Sequence, residues 1–495
     1  MRSQLGAVLI RLAYVLFFAL LGFAVADYGL TRSGSHYRFQ LLTAIVFAVW
    51  LVGCAVSGRW PRTGVLPWIG VLGLVALGYG KVWIAGFVER ETSELTDIGL
   101  QMLANPDSIW AQLQVLGTAD YVASLRAAGT SAAILAGFLM AIEIWRHEIW
   151  SRALLLWMLT IGFTITGLFF LQKFIGEPFQ VLNVGGTPTS FFVYNYWGNG
   201  AAFLNLFWPV ALAVGIYCGV RRTRFWTIWF FPPLIIFAAV FFNLSKAGNL
   251  LAAGGVVLFI ALAMIPVIRL IREHDITIRK SYLLAIAIPA MVIGVSCFFA
   301  IPWSRWDYYV ARTDGVENDT RFKAYVQFVR MIPDAGWTGF GAGTFEGLHL
   351  EYLRADPIAV KAPFWTAHQD YIQTLVEWGW IGTALWALIM VPGSVVVVVT
   401  IFQRVRFPSL PRRHYGWGAW DPIRQFFLAL PEPDQPLLSV GVATSIALVA
   451  AHAAGDFPFQ VPSLGLIFLV WVAMGWSQIY SKPKQISDDA EWASR

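Results

Sequence analysis

Charge is scarce in this chain. Only 13% of its 495 residues are charged and 58% are hydrophobic, whereas a soluble domain carries roughly a quarter charged residues. That shortage excludes a string of ordinary soluble domains and places the chain in the membrane class. Cysteine is nearly missing as well. Cys54, Cys218 and Cys297 each fall inside an apolar run, so neither an extracytoplasmic disulfide framework nor a cysteine metal site fits their positions. There is no internal repeat and no low-complexity tract. The net charge of +6 calls for no nucleic-acid partner, because arginine-rich loops facing anionic lipid account for it.

What is abundant is apolar sequence. A spanning helix needs about 20 mostly apolar residues, and about twelve such runs occur. They lie near 6–26, 39–57, 64–88, 128–145, 150–171, 199–220, 225–243, 248–268, 282–302, 376–402, 437–454 and 461–480. The first is too long for a signal-peptide core and shows no cleavage site, so it is expected to stay as an anchor. The expected fold is an all-α polytopic membrane protein with one large, partly helical outer loop. An N-terminal transmembrane bundle (1–302) precedes that loop (303–375). C-terminal spans (376–480) follow, interrupted by a Pro- and Arg-rich inner loop (403–435), and then a polar tail (481–495). Basic residues concentrate in one set of short loops, such as Arg59 and Arg62, Arg146 and Arg152, and Arg221, Arg222 and Arg224. The positive-inside rule puts those loops and both termini in the cytoplasm. Segments 89–127, 172–198 and 303–375 then face outward. The first contains IWAQLQVLGTADYVASL, which reads as an amphipathic surface helix.

The large outer loop holds the richest polar sequence. Thr320 precedes RFKAYVQFVRMIP, where Phe322, Tyr325, Val326 and Val329 have the spacing of one apolar helix face. Arg321 and Arg330 fall off that face, and Pro333 is expected to end the helix. GWTGFGAGTFE follows. It is either a tight structural turn or a backbone N–H cradle near a phosphate. It is not a dinucleotide fingerprint, because no strand–turn–helix unit surrounds it.

Next comes TAHQDYIQTLVEWGW, residues 366–380. Thr366 and Gln369 fit a capping box, which would start a helix at Ala367 with His368 in its first turn. The partial positive charge there favours an imidazole ready to accept a proton, and it attracts an anion. Tyr371 lies on roughly the same face as His368, while Asp370 and Glu377 share another. A plain helix start also explains the cluster.

Further polar residues fall on the same side. Lys246, after Ser245 in NLSKAGN (243–249), is costly near the bilayer unless it is paired or meets an anionic ligand. Snorkelling is the alternative. YNYWGNG (194–200) offers Asn195 and Asn199 before a span. HAAGDFPFQVP (452–462) carries His452 within a span and Asp456 at an outer turn, where capping or loop pairing is the simpler role. Lys81 lies inside the third span with no evident role.

Together, RFKAYVQFVRMIPDAGWTGFGAGTFE, AHQDYIQTLVEWGWIG and HAAGDFPFQVPSLGLIF resemble the O-antigen ligase and polymerase superfamily of bacterial envelope glycosyltransferases. Coverage is strongest over 319–382. The family pattern has an Arg leading an amphipathic helix, a Gly-rich turn followed by Phe, and a His–Asn–Asp–Tyr helix running into Glu-x-Gly-x-x-Gly. There are departures. Gln369 stands for the family's Asn, Ser245-Lys246-Ala247-Gly248 stands for Ser-Arg-Gly, and the Asn-Arg-Asn before one span lacks its arginine at Asn195–Asn199.

The resemblance implies transfer of a glycan from an undecaprenyl-pyrophosphate carrier at the periplasmic face of the inner membrane. The acceptor hydroxyl would belong to lipid A core, a growing glycan or a protein. It casts His368 as general base and Arg321 as the cation holding pyrophosphate. Lys246, Arg330, Tyr371, Asn199, Ser245 and Asp456 become candidate substrate-binding residues. No Asp-x-Asp occurs in the chain, so no cofactor or metal is expected, and cationic side chains would take over a metal's electrostatic role. A transporter or an export-complex subunit is the rival reading. Transporters tend to carry binding charges at mid-membrane between repeated halves, and here the polar cluster lies in an outer loop.

Overall fold

A computed structural model describes residues 2–93, 112, 116–175, 191–221, 226–243, 245–274, 320–354, 364–403 and 429–480. The expected span 282–302, Cys297, most of segments 89–127 and 172–198, residues 303–319 of the outer loop, most of the inner loop and the tail lie outside them. The described chain is helical, and its one β contact is an isolated bridge between Phe191 and Tyr194.

Thirteen α-helices are described. They are α1 Arg2–Ala26, α2 Ser33–Val56, α3 Val65–Ser93, α4 Tyr121–Trp145, α5 Glu148–Ile175, α6 Trp197–Val220, α7 Phe231–Phe242 and α8 Lys246–His274. Then come α9 Thr320–Ala335, α10 Phe345–Arg354, α11 Asp370–Ile401, α12 Pro436–Ala453 and α13 Pro462–Ile479. Ten of them are long and apolar enough to cross a membrane: α1 to α6, α8 and α11 to α13. The expected run at 225–243 is shorter than a full span. Pro232 and Pro233 occupy the start of α7, which has only 12 residues and follows a 3₁₀ turn, Trp226–Phe230. Proline suits a first helical turn because no intrahelical N–H is needed there. The two pieces together rise roughly 28 Å.

A helix apolar all round belongs in the middle of a bundle. So α6, α12 and α13 are central, each with 83% of its most apolar stretch buried, whereas α8 and α11 bury only 28%. α6 packs on α12, and α4 on α13. Glycines permit the closest crossings, as small residues do in membrane bundles. A Cβ at Gly441 of α12 would lie 2.7 Å from the Pro209 carbonyl oxygen of α6.

The two ends of the bundle differ. Arg152 is buried at one end, between Glu148 at 2.7 Å and Glu432 at 2.8 Å. The Arg146 guanidinium reaches the Arg62 carbonyl at the same end. At the opposite end lie the starts of α4, α6, α8 and α11, the α12–α13 turn, and the outer pair α9 and α10.

α9 runs through Pro333 to Ala335 and stops before Gly336, whose φ is +60°. Its buried face is also rotated from expectation. Ala324, Phe328 and Met331 pack with Phe345, Phe364, Ala367 and Val376 in a small separate core. Val326 and Val329 are exposed. The sequence has two apolar stripes on this helix, and spacing alone does not say which one meets protein. α4 begins at Tyr121, where Asp120 accepts a hydrogen bond from the Ala123 N–H at 2.9 Å. The stretch from Tyr121 to Leu125 is thus the start of a spanning helix, not the end of a surface helix.

The Gly-rich turn is structural. Phe340 and Gly341 N–H groups donate to the Val376 and Glu377 carbonyls at 3.0 Å each, and Ile381 N–H donates to the Trp337 carbonyl at 2.9 Å. These bonds are possible because α11 breaks at Gly379 (φ 64°, ψ −170°), a region open essentially to glycine alone. The Glu377 carboxylate accepts from Gly343 N–H at 2.9 Å, Phe345 N–H at 3.4 Å and Gln373 Nε2 at 2.9 Å. A protein carboxylate therefore occupies the donors that could have cradled a phosphate. Lys81 anchors the same corner. Its buried ammonium donates to the Leu116 and Gly117 carbonyls at 3.0 and 2.9 Å and to Thr338 Oγ1 at 3.3 Å, which gives a charge inside a span the partners it needs.

Candidate active site

His368 is not in a helical turn. α11 starts two residues later, at Asp370, and Gln369 is its N-cap, accepting from Ile372 N–H at 2.5 Å. The Thr366–Gln369 capping box is therefore not formed. The reason is the His368 backbone, which sits at φ +49°, a left-handed conformation that ends helix propagation backwards and is uncommon outside glycine. Tyr325 of α9 holds it there, donating its hydroxyl to the His368 carbonyl at 2.6 Å. Such a held outlier is often found where function needs a side chain aimed.

The side chain is aimed at Asp456. His368 Nδ1 lies 3.3 Å from Asp456 Oδ1, across 88 residues of sequence. The ring packs edge-on against Phe457, with centroids 4.8 Å apart. With Nδ1 turned to the carboxylate, Nε2 is the nitrogen left to meet a substrate. The side chain is 20% exposed, so it is reachable.

Asp456 is 3% exposed in the α12–α13 turn. Burial pushes its carboxyl up, but contacts with His368 and His452 outweigh that and hold it well below the usual carboxylate range. A depressed pKa stabilises the folded state above the unfolded value of about 3.9, and the contribution fades as pH falls below it. Asp456→Asn should therefore lower the unfolding temperature at neutral pH and flatten the loss of stability below about pH 4. Thermal melts in detergent across pH would read this. Equal melting of the two proteins at pH 7 would contradict it.

The turn carrying Asp456 is clamped to α11 by Asp370, which accepts from Phe459 N–H at 2.8 Å and Gln460 Nε2 at 3.1 Å. Asp370 and Glu377, one face of α11, thus brace the two loops on either side of His368.

Arg321 reaches the cluster through Tyr196, donating to its phenol oxygen at 3.3 Å. Tyr196 stacks on Phe457 at 5.2 Å. Burial pushes its phenol up to about 12, with Asp456 adding to the rise and Arg321 opposing it, so it stays protonated at neutral pH. Gly198 makes the packing possible: a Cβ there would lie 2.2 Å from Asp456 Oδ2 and 2.3 Å from the Tyr196 ring.

The other candidates are arranged around this centre. Asn199 is buried in the first turn of α6, with no hydrogen-bond partner for its Oδ1. Ser245 caps α8 by accepting from Gly248 N–H at 3.0 Å, and Lys246 beside it is exposed. A Cβ at Gly248 would lie 2.2 Å from the Ala201 Cβ, so the starts of α6 and α8 touch. Two residues do not join the cluster. The Tyr371 hydroxyl donates instead to the Ala450 carbonyl at 2.7 Å. Arg330 is exposed, and nine residues on from Arg321 it falls on the opposite side of α9. Among the described residues no trio of His, Cys, Asp or Glu is placed to hold a metal.

Tyr196 and Tyr325 were not singled out from sequence for this centre. Nothing in the spacing of an aromatic-rich loop shows which ring meets a distant arginine. His349 was missed too. Its Nε2 accepts from Phe364 N–H at 3.1 Å and its Nδ1 contacts the Phe345 carbonyl at 3.1 Å, tying α10 to the segment leading into His368. Burial pushes this imidazole down, which keeps the accepting nitrogen free of a proton.

Residues 210–387 match the family model described as O-Antigen ligase. The chain carries an O-antigen ligase domain. The match includes α9, the Gly-rich turn, Arg321 and His368, while Tyr196, His452 and Asp456 lie outside it. No curated protein matches the chain. The family is one of membrane enzymes of polysaccharide and lipopolysaccharide biosynthesis that transfer lipid-linked glycans, and this multi-pass membrane chain is an enzyme of that kind.

Proposed function

We propose that this ligase-family chain moves a glycan from an undecaprenyl-pyrophosphate carrier to an acceptor hydroxyl at the periplasmic face of the membrane. The observation that carries the reading is the His368–Asp456 pair, 3.3 Å apart, beside an arginine at the mouth of a membrane bundle. Asp456 fixes the tautomer of His368 with the proton on Nδ1. His368 Nε2 takes the acceptor's hydroxyl proton as its oxygen attacks the anomeric carbon. The bond from that carbon to the pyrophosphate oxygen breaks, and undecaprenyl pyrophosphate leaves with the bonding pair. Arg321 stabilises the leaving charge, because its planar fork matches phosphate oxygens and its charge is permanent. The starts of α6 and α8, with Asn199, Ser245 and Lys246, add backbone N–H groups and a second cation for the same anion. The reaction needs no metal on this reading.

Direct displacement inverts the anomeric carbon. NMR of the new linkage, compared with the lipid-linked donor, is therefore expected to show the opposite anomer. Retention would overturn single displacement and require a covalent or dissociative route.

A further inference from the structure

The Asp456 carboxylate has two oxygens and faces two histidines. Oδ1 is 3.3 Å from His368 Nδ1 and accepts from the Phe457 N–H at 3.1 Å. Oδ2 is 3.4 Å from Nε2 of His452. His452 lies in the last turn of α12, one helical turn before Asp456, and is 2% exposed. Neither of its ring nitrogens makes a well-aligned hydrogen bond. The transfer chemistry above gives it no part, yet it is a polar ring buried beside the carboxylate that orients the base.

The surroundings select one tautomer. With the proton on Nε2, His452 offers Asp456 a donor and leaves only an acceptor orphaned at Nδ1. With the proton on Nδ1, a lone pair would face the carboxylate and a donor would be buried without a partner, which is unfavourable. The first turn of α6 also comes close to the same oxygen, because a Cβ at Gly198 would lie 2.2 Å from Oδ2. The carboxylate oxygen Oδ2 is thus approached by both α6 and His452. The contact is long for a hydrogen bond, as is common at catalytic sites before substrate tightens them.

We infer that His452 is a positioning residue for the transfer reaction. It holds Asp456 through Oδ2, so that Oδ1 stays on His368 Nδ1 and His368 Nε2 stays turned to the acceptor. This rests on the reading of His368 as general base.

The test uses the full-length protein in detergent with a lipid-linked glycan donor, and compares His452→Leu, His452→Gln and wild type. Leucine keeps the bulk and removes the donor. Glutamine returns an amide N–H near the position of Nε2. His452→Leu is expected to lower kcat roughly tenfold to a hundredfold, a part of the 10²–10⁴ that the base supplies, with the KM for donor unchanged. His452→Gln is expected to restore most of that loss. In a His368→Ala background, His452→Leu should cost nothing further, because residues acting as a unit are not additive.

Wild-type kcat in His452→Leu would overturn the proposal. So would equal loss in the Leu and Gln variants, or their joint failure to fold, since either result marks His452 as a packing residue. The two readings fail separately. An active His368→Ala sinks the base itself, whereas an inactive His368→Ala with a fully active His452→Leu sinks only the role of His452.

Discussion

His368→Ala is expected to fold, insert and retain donor binding, and to lose about 10²–10⁴ in turnover, the usual worth of a general base. The expectation rests on how His368 is held. Its backbone position is set by Tyr325 through the carbonyl oxygen, a contact that survives removal of the ring. Its ring is oriented by Asp456, a contact that does not. Alanine at φ +49° adds some strain, so His368→Asn is the better-behaved control, because asparagine tolerates the left-handed region. Both variants should show the loss in kcat while the KM for donor changes little. Near-wild-type turnover in either would remove His368 from the chemistry.

Arg321→Lys is expected to cost roughly 10- to 100-fold in kcat/KM, which corresponds to the ~1.5–3 kcal/mol that a hydrogen bond to a charged group is worth. Lysine keeps the charge but loses the planar fork. It also loses the geometry by which one guanidinium can lean on Tyr196, at 3.3 Å, and still present donors to phosphate oxygens. A merely electrostatic role would make lysine nearly as good as arginine. Steady-state kinetics of Arg321→Lys and Arg321→Ala separate the two cases. A mild lysine variant beside an inactive alanine variant means point charge, and two comparable losses mean the fork.

Much of the scaffold was legible because its signal is strong. A run of apolar residues long enough to cross a bilayer has few other uses, and ten such helices are present among the described residues. Where a prolyl pair set the helix start, at α7, the run did not reveal how little of it would be α-helical. His368 and Asp456 were both legible as residues worth watching. Their pairing was not, since they come from loops 88 residues apart and the contact exists only after α11, α12 and α13 have packed. The capping box illustrates the limit of local patterns. Thr366 and Gln369 have the right spacing, but Tyr325, a residue from another helix, pulls the His368 backbone into a conformation the pattern does not permit. Likewise the glycines of 339–343 fit a phosphate cradle or a structural turn equally well. Glu377, 34 residues beyond Gly343, decides for the turn by taking its N–H groups.

On the proposed reading, the oriented histidine and the arginine beside it let the enzyme complete transfer with its own side chains. The most direct measurement is transfer by the purified protein in detergent, where no ion gradient exists, supplied with an undecaprenyl-pyrophosphate-linked glycan and a hydroxyl acceptor. The expected result is a glycan–acceptor product from the wild-type chain and little or none from His368→Ala. No product from a folded wild-type chain in detergent, alongside gradient-dependent movement of lipid-linked glycan in vesicles, would contradict the account and favour a transporter.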